Sequence, residues 1–469
     1  MAEASAPEAR LARAAARSRF DDLPGAVRAR YRNFMLDTLA VMAAGAAHPS
    51  LAPARALLVR SGGAGPASAL GFAQGVAPAT AALVNGAAMT PLQLQDGHRR
   101  ARGHPMSHVL PAALAIAEER GADAPAFLNA TVAGYEVCAR IGASLGGMQP
   151  LLHDTGTFGA IGAAVAAAHL LADDAERADL IEQAIGNAAA VALFPFRDTC
   201  MEGAGVHHLF VGLGTQNGVQ AALAAHAGLL PSARTLERFF GPRAGEHFEP
   251  ERLCPGIGAD GRWSQYEISE AYLKWHPVCA HLGPMLDCLG RLKGRPGGIP
   301  VERIEDVEVR IYSTALHYDA PAPGTDLGAR FSFRTVAALA LIDGAVRFDS
   351  FAPARFLTPA VARIAARVRL VADPALDALY PANRPTRVTL TLNDGTQTTA
   401  EVHVPRGDGA AALTDDDVLA KARALLGAAW GEAHAARIVD LLMSLTDGLP
   451  PRLVPQLGQA LRQPLKPQD

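Results

Sequence analysis

The segment FGAIGAAVAAAHLL, residues 158–171, decides the architecture of this chain, because it is long enough for a helix and almost entirely apolar. A helix at a protein surface keeps one polar face, whereas a helix that is apolar all round is packed among other helices. Residues 221–225 are similarly rich in alanine. We therefore predict a bundle of many closely packed helices, some of them central.

Helical spacing of apolar residues continues through the first half of the chain. Pro24 suits the first position of a helix that extends to Met42. Residues 1–18 are expected to form a tail and a first helix rather than a signal peptide, because they lack the apolar run that such a peptide needs. The remaining helices are predicted at about 49–60, 77–90, 109–119, 124–142, 158–171, 175–193 and 208–227.

Residues 265–405 are predicted to form a smaller α+β domain with an antiparallel sheet. The clearest local signal is a hairpin within residues 387–404, where two alternating stretches flank Asn393-Asp394-Gly395. The other predicted elements are strands at 304–311 and 367–371 and helices at about 330–343 and 354–365. The fold class is therefore mostly α, a large all-helical bundle beside an α+β second domain.

Helical periodicity returns after residue 406, at about 414–428 and 431–446. Periodicity alone leaves open whether these helices close the α+β domain or return to the first bundle. The last twenty residues are rich in proline, glutamine and leucine, and we expect them to run over the surface.

The composition argues against several classes of function. The chain has 469 residues and a formal net charge of -3, which indicates neither nucleic acid nor an anionic membrane as a partner. No apolar run approaches the roughly 18 residues that are needed to cross a bilayer. Five cysteines without CxxC spacing are typical of free thiols in a reducing compartment. We therefore expect a cytoplasmic protein.

A polar stretch, QLQDGHRRARGHPMSHVLP at residues 93–111, interrupts the alanine-rich helices. It contains three histidines, three arginines and one aspartate, so it is not there to fill a core. His104 and His108 have i, i+4 spacing, but Gly103 and Pro105 interrupt the segment and no HExxH glutamate lies between them. We therefore predict no metal site here.

Other titratable residues lie just before predicted helices. His153 precedes the helix at 158, and His207 precedes the helix at 208. Free N–H groups at a helix N-terminus suit anionic ligands, and imidazoles exchange protons near neutral pH. The alternative for each of these histidines is a capping or surface residue.

Lys274 is a stronger single candidate, because it lies in the apolar and aromatic run Tyr272-Leu273-Lys274-Trp275. Such surroundings lower the pKa of a lysine and suit a base, an acid or a carboxylate clamp. The alternative is a lysine that reaches out to water. Cys279, a few residues further on, is a predicted substrate contact.

A set of short motifs, in order from about residue 20 to residue 450, carries a resemblance to a known family. The motifs are Asn85-Gly86-Ala87-Ala88, His104-Pro105, Val109-Leu110-Pro111-Ala112, Gly134-Tyr135-Glu136-Val137, Ala139-Arg140-Ile141-Gly142, His153 with Gly156-Thr157-Phe158-Gly159, Asn217-Gly218, Lys274 with Pro277, Ala329-Arg330-Phe331-Ser332 and Asp343-Gly344. They resemble the MmgE/PrpD family, which includes 2-methylcitrate dehydratase, cis-aconitate decarboxylase and iminodisuccinate epimerase.

The resemblance implies a fold and a chemistry. It places the C-terminal helices in the helical domain, which gives residues 1–264 and 406–469 to that domain and residues 265–405 to an α+β lid. It implies a homodimer that uses no metal or organic cofactor. It also implies a cleft between the domains, where a small di- or tricarboxylate reacts at a bond next to a carboxylate.

The resemblance carries over to individual residues only in part. His104, His153 and Lys274 stand where decarboxylase-like members have active-site groups. In the polar loop Asp96 is retained, whereas acidic and hydroxyl positions of the family hold Gln93, Gln95 and Gly97, with one extra residue before His104.

Further departures follow along the chain. His207 replaces a family lysine, and the active-site tyrosine falls at His317 or Tyr318. Gly328 replaces an acidic residue before Arg330. Because glutamine takes no proton at neutral pH, these changes alter which anion the cleft would hold and which group acts as base.

We therefore expect a lyase, a dehydratase or a decarboxylase, in which His153 or His207 transfers the proton. Lys274, His104 and Arg330 would hold the anionic substrate or stabilise an enolate-like intermediate. Three alternatives remain open: an isomerase or epimerase of the same family, a non-catalytic paralogue that binds a metabolite, and an enzyme with a non-carboxylate substrate.

Overall fold

A computed structural model describes residues 6–294, 298–446 and 448–466 of the chain. Its first part is a helical bundle, as predicted. The helices are α1 (Pro7–Ala16), α2 (Gly25–Ala46), α3 (Ala52–Ser61), α4 (Pro78–Ala87), α5 (Pro105–Arg120), α6 (Ala124–Ser144), α7 (Gly159–Leu171), α8 (Arg177–Ala190), α9 (Leu209–His226) and α10 (Gly241–Ala244). Two antiparallel pairs of short strands accompany them: β1 (Ala64–Ser68) with β2 (Gly75–Val76), and β3 (Gly97–His98) with β4 (Ala271–Tyr272).

Helix α7 lies at the centre of this bundle, which confirms the prediction made from its sequence. It packs against α5, α6, α8 and α9. Small residues make these contacts close: a Cβ atom on Gly162 would overlap the side chain of Cys138 on α6. A Cβ atom on Gly218 of α9 would likewise overlap the backbone of Ala160. The alanine and glycine content of the sequence thus sets the spacing of the helices.

The second part of the chain builds a four-stranded sheet with helices against it. Its elements are α11 (Gly283–Lys293), β5 (Ile304–Ile311), α12 (Ser313–Leu316), α13 (Asp326–Ala329), α14 (Phe333–Asp343), α15 (Pro353–Phe356), α16 (Pro359–Ala365), β6 (Val368–Ala372), α17 (Pro374–Asp377), β7 (Thr386–Leu392) and β8 (Gln397–Val402). The hairpin β7–β8 confirms the prediction at Asn393-Asp394-Gly395. Along β7 buried and half-buried residues alternate, and its buried face packs on α11.

The sheet differs in one pair from the predicted antiparallel arrangement. Its strand order is β6-β5-β7-β8, and β5 pairs with β6 in parallel. Antiparallel neighbours need only a tight turn, whereas parallel neighbours need a long crossover. The chain between β5 and β6 contains α12 to α16, which supply that crossover.

The C-terminal helices return to the bundle. They are α18 (Asp415–Trp430), α19 (Glu432–Met443) and α20 (Leu453–Leu461). Helix α18 packs on α2, and α20 contacts α5 and α6. The last twenty residues were expected to run over the surface, and α20 lies there with Pro455, Gln456 and Gln459 exposed. Its other face buries Leu453, Val454, Leu457 and Leu461.

Buried apolar side chains form two large clusters. The bundle cluster runs from Leu11 to Leu273 and resumes from Val418 to Leu461. The lid cluster runs from Val278 to Val402 and includes Cys200. The chain thus passes from one cluster to the other just after β4. Within the described ranges, no helix combines the length and hydropathy of a membrane span.

Candidate active site

A cavity of about 440 Å³ lies between the bundle and the lid part of the chain. Its wall includes eight residues that the sequence predicted for the site: Gln93, His104, His153, His207, Lys274, Cys279, His317 and Tyr318. Both residues at the uncertain tyrosine position, His317 and Tyr318, therefore border the same space. Three other predicted residues, Asp96, Gly97 and Arg330, do not line this cavity.

Asp96 holds the beginning of α5 and does not line the cavity. Its buried carboxylate accepts hydrogen bonds from the backbone N–H groups of Met106 and Ser107, at 3.0 and 3.1 Å, and from the Ser107 hydroxyl at 2.7 Å. These N–H groups belong to the first turn of a helix, where they have no partner within the helix. Asp96 therefore supports the start of α5 and does not line the cavity, and its contact with substrate stays a prediction.

Gly97 has a steric role. It pairs with Tyr272 between β3 and β4, and a Cβ atom at this position would overlap the Tyr272 ring. Tyr272 itself lines the cavity. Gly97 therefore allows Tyr272 to approach the polar loop, and it offers no group of its own to a substrate.

Arg330 binds backbone groups outside the cavity lining, and its predicted role at the substrate stays a prediction. Its guanidinium group is buried and donates to the carbonyl oxygens of Leu92, Pro277 and Phe348, at 3.2, 3.0 and 3.0 Å. It also lies 4.3 Å from the centre of the Phe351 ring. These contacts join the start of the polar loop to the lid.

His104 presents a basic nitrogen to the cavity. Its Nδ1 donates to the carbonyl oxygen of Asp96, so the neutral ring carries a lone pair on Nε2. That Nε2 lies 3.9 Å from an oxygen of Asp154. Burial lowers the pKa of His104 to about 4, and the Asp154 carboxylate opposes this shift. His104 is therefore neutral at pH 7 and able to accept a proton.

His108, which the sequence analysis placed in the loop without a role, fixes the position of His104. Its Nδ1 donates to the carbonyl oxygen of His104 at 3.0 Å, and its Nε2 accepts from the N–H of Gly156 at 3.0 Å. A Cβ atom on Gly159 would overlap the His108 ring. His108 thus ties α5 to the loop that carries His153. An imidazole whose two ring nitrogens both have partners is the structural sign of such a role.

His153 has the opposite tautomer to His104. The backbone N–H of Thr155 donates to its Nδ1 at 3.0 Å, so the neutral ring carries its proton on Nε2. The same Nδ1 lies 3.2 Å from Asp154, but a backbone amide can only donate and therefore decides the tautomer. Burial lowers the pKa of His153. His153 can thus donate a hydrogen bond from Nε2 to a bound oxygen atom.

His207 lies beside His153, with ring centres 5.0 Å apart. The amide nitrogen of Gln93 donates to the Thr90 carbonyl at 3.0 Å and contacts Nε2 of His207 at 3.3 Å. Burial, followed by the neighbouring His153, holds the pKa of His207 well below its ordinary value. His207 is therefore a neutral ring whose Nε2 accepts from Gln93.

Lys274 is buried at the cavity wall and donates to the carbonyl oxygen of Gln93 at 3.0 Å. Burial lowers its pKa to about 8; Cys279 opposes the shift, and the nearby positive charge of Lys421 adds to it. This result agrees with the lowered pKa that the sequence context predicted. Lys274 is then a cation at pH 7 that can release its proton a little above that pH.

Aromatic rings form the lid side of the cavity. Tyr318 stacks on His281, with ring centres 4.5 Å apart and planes 18° apart. His281 forms a hydrogen bond of 2.5 Å with the Tyr312 hydroxyl, and Tyr312 stacks on Tyr380 at 4.5 Å. Burial raises the pKa of Tyr318, so its phenol keeps its proton.

Three arginines in the wall were not predicted: Arg102, Arg197 and Arg384. Arg384 is buried, lies 4.7 Å from the centre of the Tyr272 ring and reaches Asp408 at 3.8 Å. Its sequence context, just before β7, does not distinguish it from the many other arginines of the chain. The described residues contain no cluster of three or more histidine, cysteine or acidic side chains that could hold a metal ion.

Comparisons with known proteins agree with this arrangement. Residues 9–244 match the MmgE/PrpD N-terminal domain, and residues 276–446 match the MmgE/PrpD C-terminal domain. A cis-aconitate decarboxylase of Aspergillus terreus is 26% identical over 91% of this chain and 90% of its own length. A cis-aconitate decarboxylase-like protein of Aspergillus oryzae is 24% identical over 90% and 91%.

A human cis-aconitate decarboxylase is 25% identical over 74% of this chain and 72% of its own length. The Aspergillus terreus and human relatives are named decarboxylases, and a decarboxylase is a lyase. The two matched domains together cover most of the sequence. The chain therefore belongs to the MmgE/PrpD family and is an enzyme of the lyase type.

Proposed function

We propose that this enzyme removes carbon dioxide or water from a small di- or tricarboxylic acid, at a carbon next to a carboxylate, without a metal or organic cofactor. The observation that carries the proposal is the meeting of Lys274, His104 and His153 in one cavity. A volume of about 440 Å³ suits a small molecule.

Positive side chains in the wall favour an anionic substrate. The cavity wall contains four basic side chains, Arg102, Arg197, Lys274 and Arg384, and two carboxylates, Asp154 and Glu246. Arg197 is already paired with Asp198 at 2.8 Å, and Arg384 is near Asp408. Lys274 has only a carbonyl oxygen as its hydrogen-bond partner among the described residues, so a substrate carboxylate would be its first ionic partner.

The two histidine tautomers suit opposite halves of a proton transfer. His104 has a free lone pair on Nε2 and is positioned to take a proton. His153 has a proton on Nε2 and is positioned to stabilise negative charge that develops on a substrate oxygen. This assignment moves the base from His153 or His207, as the sequence suggested, to His104.

Turnover of candidate acids in D2O, followed by mass spectrometry, tests this function. Cis-aconitate is the first acid to test, because the relatives are named for it. Loss of carbon dioxide or of water supports the proposal. Deuterium uptake without any other change of mass would instead indicate an isomerase. Thermal stabilisation by these acids without turnover would indicate a binding protein.

The assay needs a matched control. His104→Gln should lose turnover, whereas His226→Gln changes an exposed histidine far along α9 and should retain it. Equal turnover by the two variants would contradict the assignment of His104. Absence of turnover with every acid in the panel, in the wild-type protein, would contradict the proposed function itself.

A further inference from the structure

The chain contains only four lysines, Lys274, Lys293, Lys421 and Lys466, although lysine and arginine together number 43. Two of these four, Lys274 and Lys421, are buried, and Lys421 bonds to the backbone of Lys274. Lys274 lies in the wall, whereas Lys421 belongs to α18 and does not line the cavity. A buried lysine needs a partner for its charge, so the contacts of Lys421 require an explanation.

Lys421 contacts three groups. Its Nζ donates to the carbonyl oxygen of Lys274 at 2.7 Å and to that of Leu94 at 3.3 Å. It also lies 2.7 Å from Oδ1 of Asp37, whose side chain on α2 is fully buried. The lysine and the aspartate thus form a buried ion pair between two helices, and the lysine extends this pair to the backbone of the site.

The two hydrogen bonds from Lys421 to backbone carbonyls lie next to a third hydrogen bond. Lys274 donates from its own Nζ to the carbonyl oxygen of Gln93, which immediately precedes Leu94. Lys421 therefore holds the chain on both sides of the hydrogen bond that links Lys274 to the polar loop. Gln93 continues this network to His207 through its side-chain amide.

We propose that Lys421 is a positioning residue of the active site: anchored by Asp37, its ammonium group fixes the backbone of Leu94 and Lys274 and acts by its charge on the ammonium group of Lys274. The charged groups that act on Lys274 are Lys421, Asp154 and Arg384, and Cys279 acts on it only where its thiol ionises, because burial raises the pKa of that thiol. Lys421 and Arg384 favour loss of its proton, whereas Cys279 and Asp154 oppose it. The inference builds on the proposed role of Lys274, but its test requires no turnover.

The test is labelling of the folded protein with acetic anhydride over a range of pH, followed by mass spectrometry of each lysine peptide. The midpoint of a lysine is the pH at which its labelling rate reaches half of the maximum. For Lys274 in the wild-type protein this midpoint is expected at about 8. The double variant Asp37→Asn/Lys421→Gln removes both charges and leaves no unpaired buried ion. Its Lys274 midpoint should rise, because Lys421 lowers the pKa of Lys274 whereas Asp37 is not among the groups with the largest effect on that pKa, so the loss of Asp37 offsets only part of the change.

Two further variants make the result decisive. Lys421→Arg keeps the positive charge, so its Lys274 midpoint should stay within a few tenths of a unit of the wild-type value. Lys293→Met is the matched control, because Lys293 also donates to a carbonyl oxygen, that of Leu341 at 2.8 Å, but lies in the lid. It should not change the Lys274 midpoint. Exposed Lys466 serves as the internal reference for the reagent.

Hydrogen exchange separates the positional effect from the electrostatic effect. In the double variant, peptides that contain residues 93–97 and 272–275 should exchange several-fold faster, whereas Lys293→Met should leave them unchanged. An unchanged Lys274 midpoint in a folded double variant would overturn the proposal. If the double variant does not fold, a midpoint in Lys421→Arg that rises by a full unit would overturn it equally.

Discussion

The bundle wall of the cavity (Gln93, His104, His153 and His207) and the lid wall (His281, His317, Tyr318, Tyr380 and Arg384) hold their side chains by different means. In the bundle wall, backbone groups bind the imidazole nitrogens of His104 and His153 and fix their tautomers. In the lid wall, rings lie on rings, as Tyr318 does on His281. Directional hydrogen bonds fix the position of a proton, whereas stacked rings define a surface. We therefore expect chemistry at the bundle wall and substrate fit at the lid wall.

The largest effect should follow from His104→Gln. The variant removes the ring nitrogen that faces Asp154 but retains a side chain that can bond to the Asp96 carbonyl. Because a positioned general base contributes about 10²- to 10⁴-fold, kcat should fall by that range. Steady-state kinetics measure it, and the thermal midpoint of the protein should change little. A kcat within threefold of the wild type would place the base elsewhere.

Lys274→Met should follow in size. A charged hydrogen bond to a carboxylate is worth about 1.5 to 3 kcal/mol, so KM should rise by about 10- to 100-fold. Because the pKa of Lys274 is about 8 in the folded protein, the wild-type KM should rise as the pH increases above 8. Lys274→Met should lack this dependence, whereas Lys293→Met should keep it. An identical KM profile in wild type and Lys274→Met would show that this lysine does not hold the substrate.

Asp96→Ala tests the hydrogen bonds that hold the start of α5 below the bundle wall. The variant loses three hydrogen bonds at the start of α5, and we expect a loss of about 1 to 3 kcal/mol in the free energy of unfolding. Asp123→Ala is the control, since Asp123 accepts one bond, at 2.9 Å, at the exposed start of α6. Its loss should be smaller, at about 1 kcal/mol.

The pH dependence of the same measurement gives a second check. Burial raises the pKa of Asp96 to about 6, so the folded protein holds this proton more tightly than the unfolded chain does. The contribution of Asp96 to the free energy of unfolding of the wild-type protein therefore falls as the pH rises from about 4 through 6. Asp96→Ala lacks this titration. The difference in free energy of unfolding between the wild type and the variant should therefore be larger at pH 5 than at pH 7. If that difference grew with pH, the raised pKa of Asp96 in the folded protein would be contradicted.

The smallest effect is expected from Tyr318→Phe. The ring remains stacked on His281, and the phenol that is lost keeps its proton at neutral pH. We expect kcat to change by less than about tenfold, since a neutral hydrogen bond is worth about 0.5 to 1.5 kcal/mol. Tyr318→Ala, which removes the ring, should mainly raise KM. A hundredfold fall of kcat in Tyr318→Phe would contradict the expectation that the lid wall serves substrate fit rather than chemistry.

Much of the fold could be predicted because its signals are local. The apolar faces of α7 and the alternation along β7 are properties of short segments, and both were identified from sequence. The parallel pairing of β5 with β6 could not be, since alternation is the same in either direction. Helix α20 was missed because it is only nine residues long and follows two prolines closely.

The site divides in the same way. His104, His153 and Lys274 stood out through local context, and the structure places them in one cavity. Arg330 and Asp96 lie outside the cavity lining, and sequence does not show that a buried charge is already bound by backbone. Arg384 and Lys421 were missed because their partners lie far along the chain.

Arg330 also has a consequence for how the molecule unfolds. It joins the carbonyl of Leu92, a member of the bundle cluster, to those of Pro277 and Phe348. Loss of the bundle would take away the Leu92 acceptor, and a buried guanidinium group that loses an acceptor destabilises what remains folded. The bundle and the lid should therefore melt as one cooperative unit, and an acid that binds in the cavity should raise a single transition temperature rather than one of two.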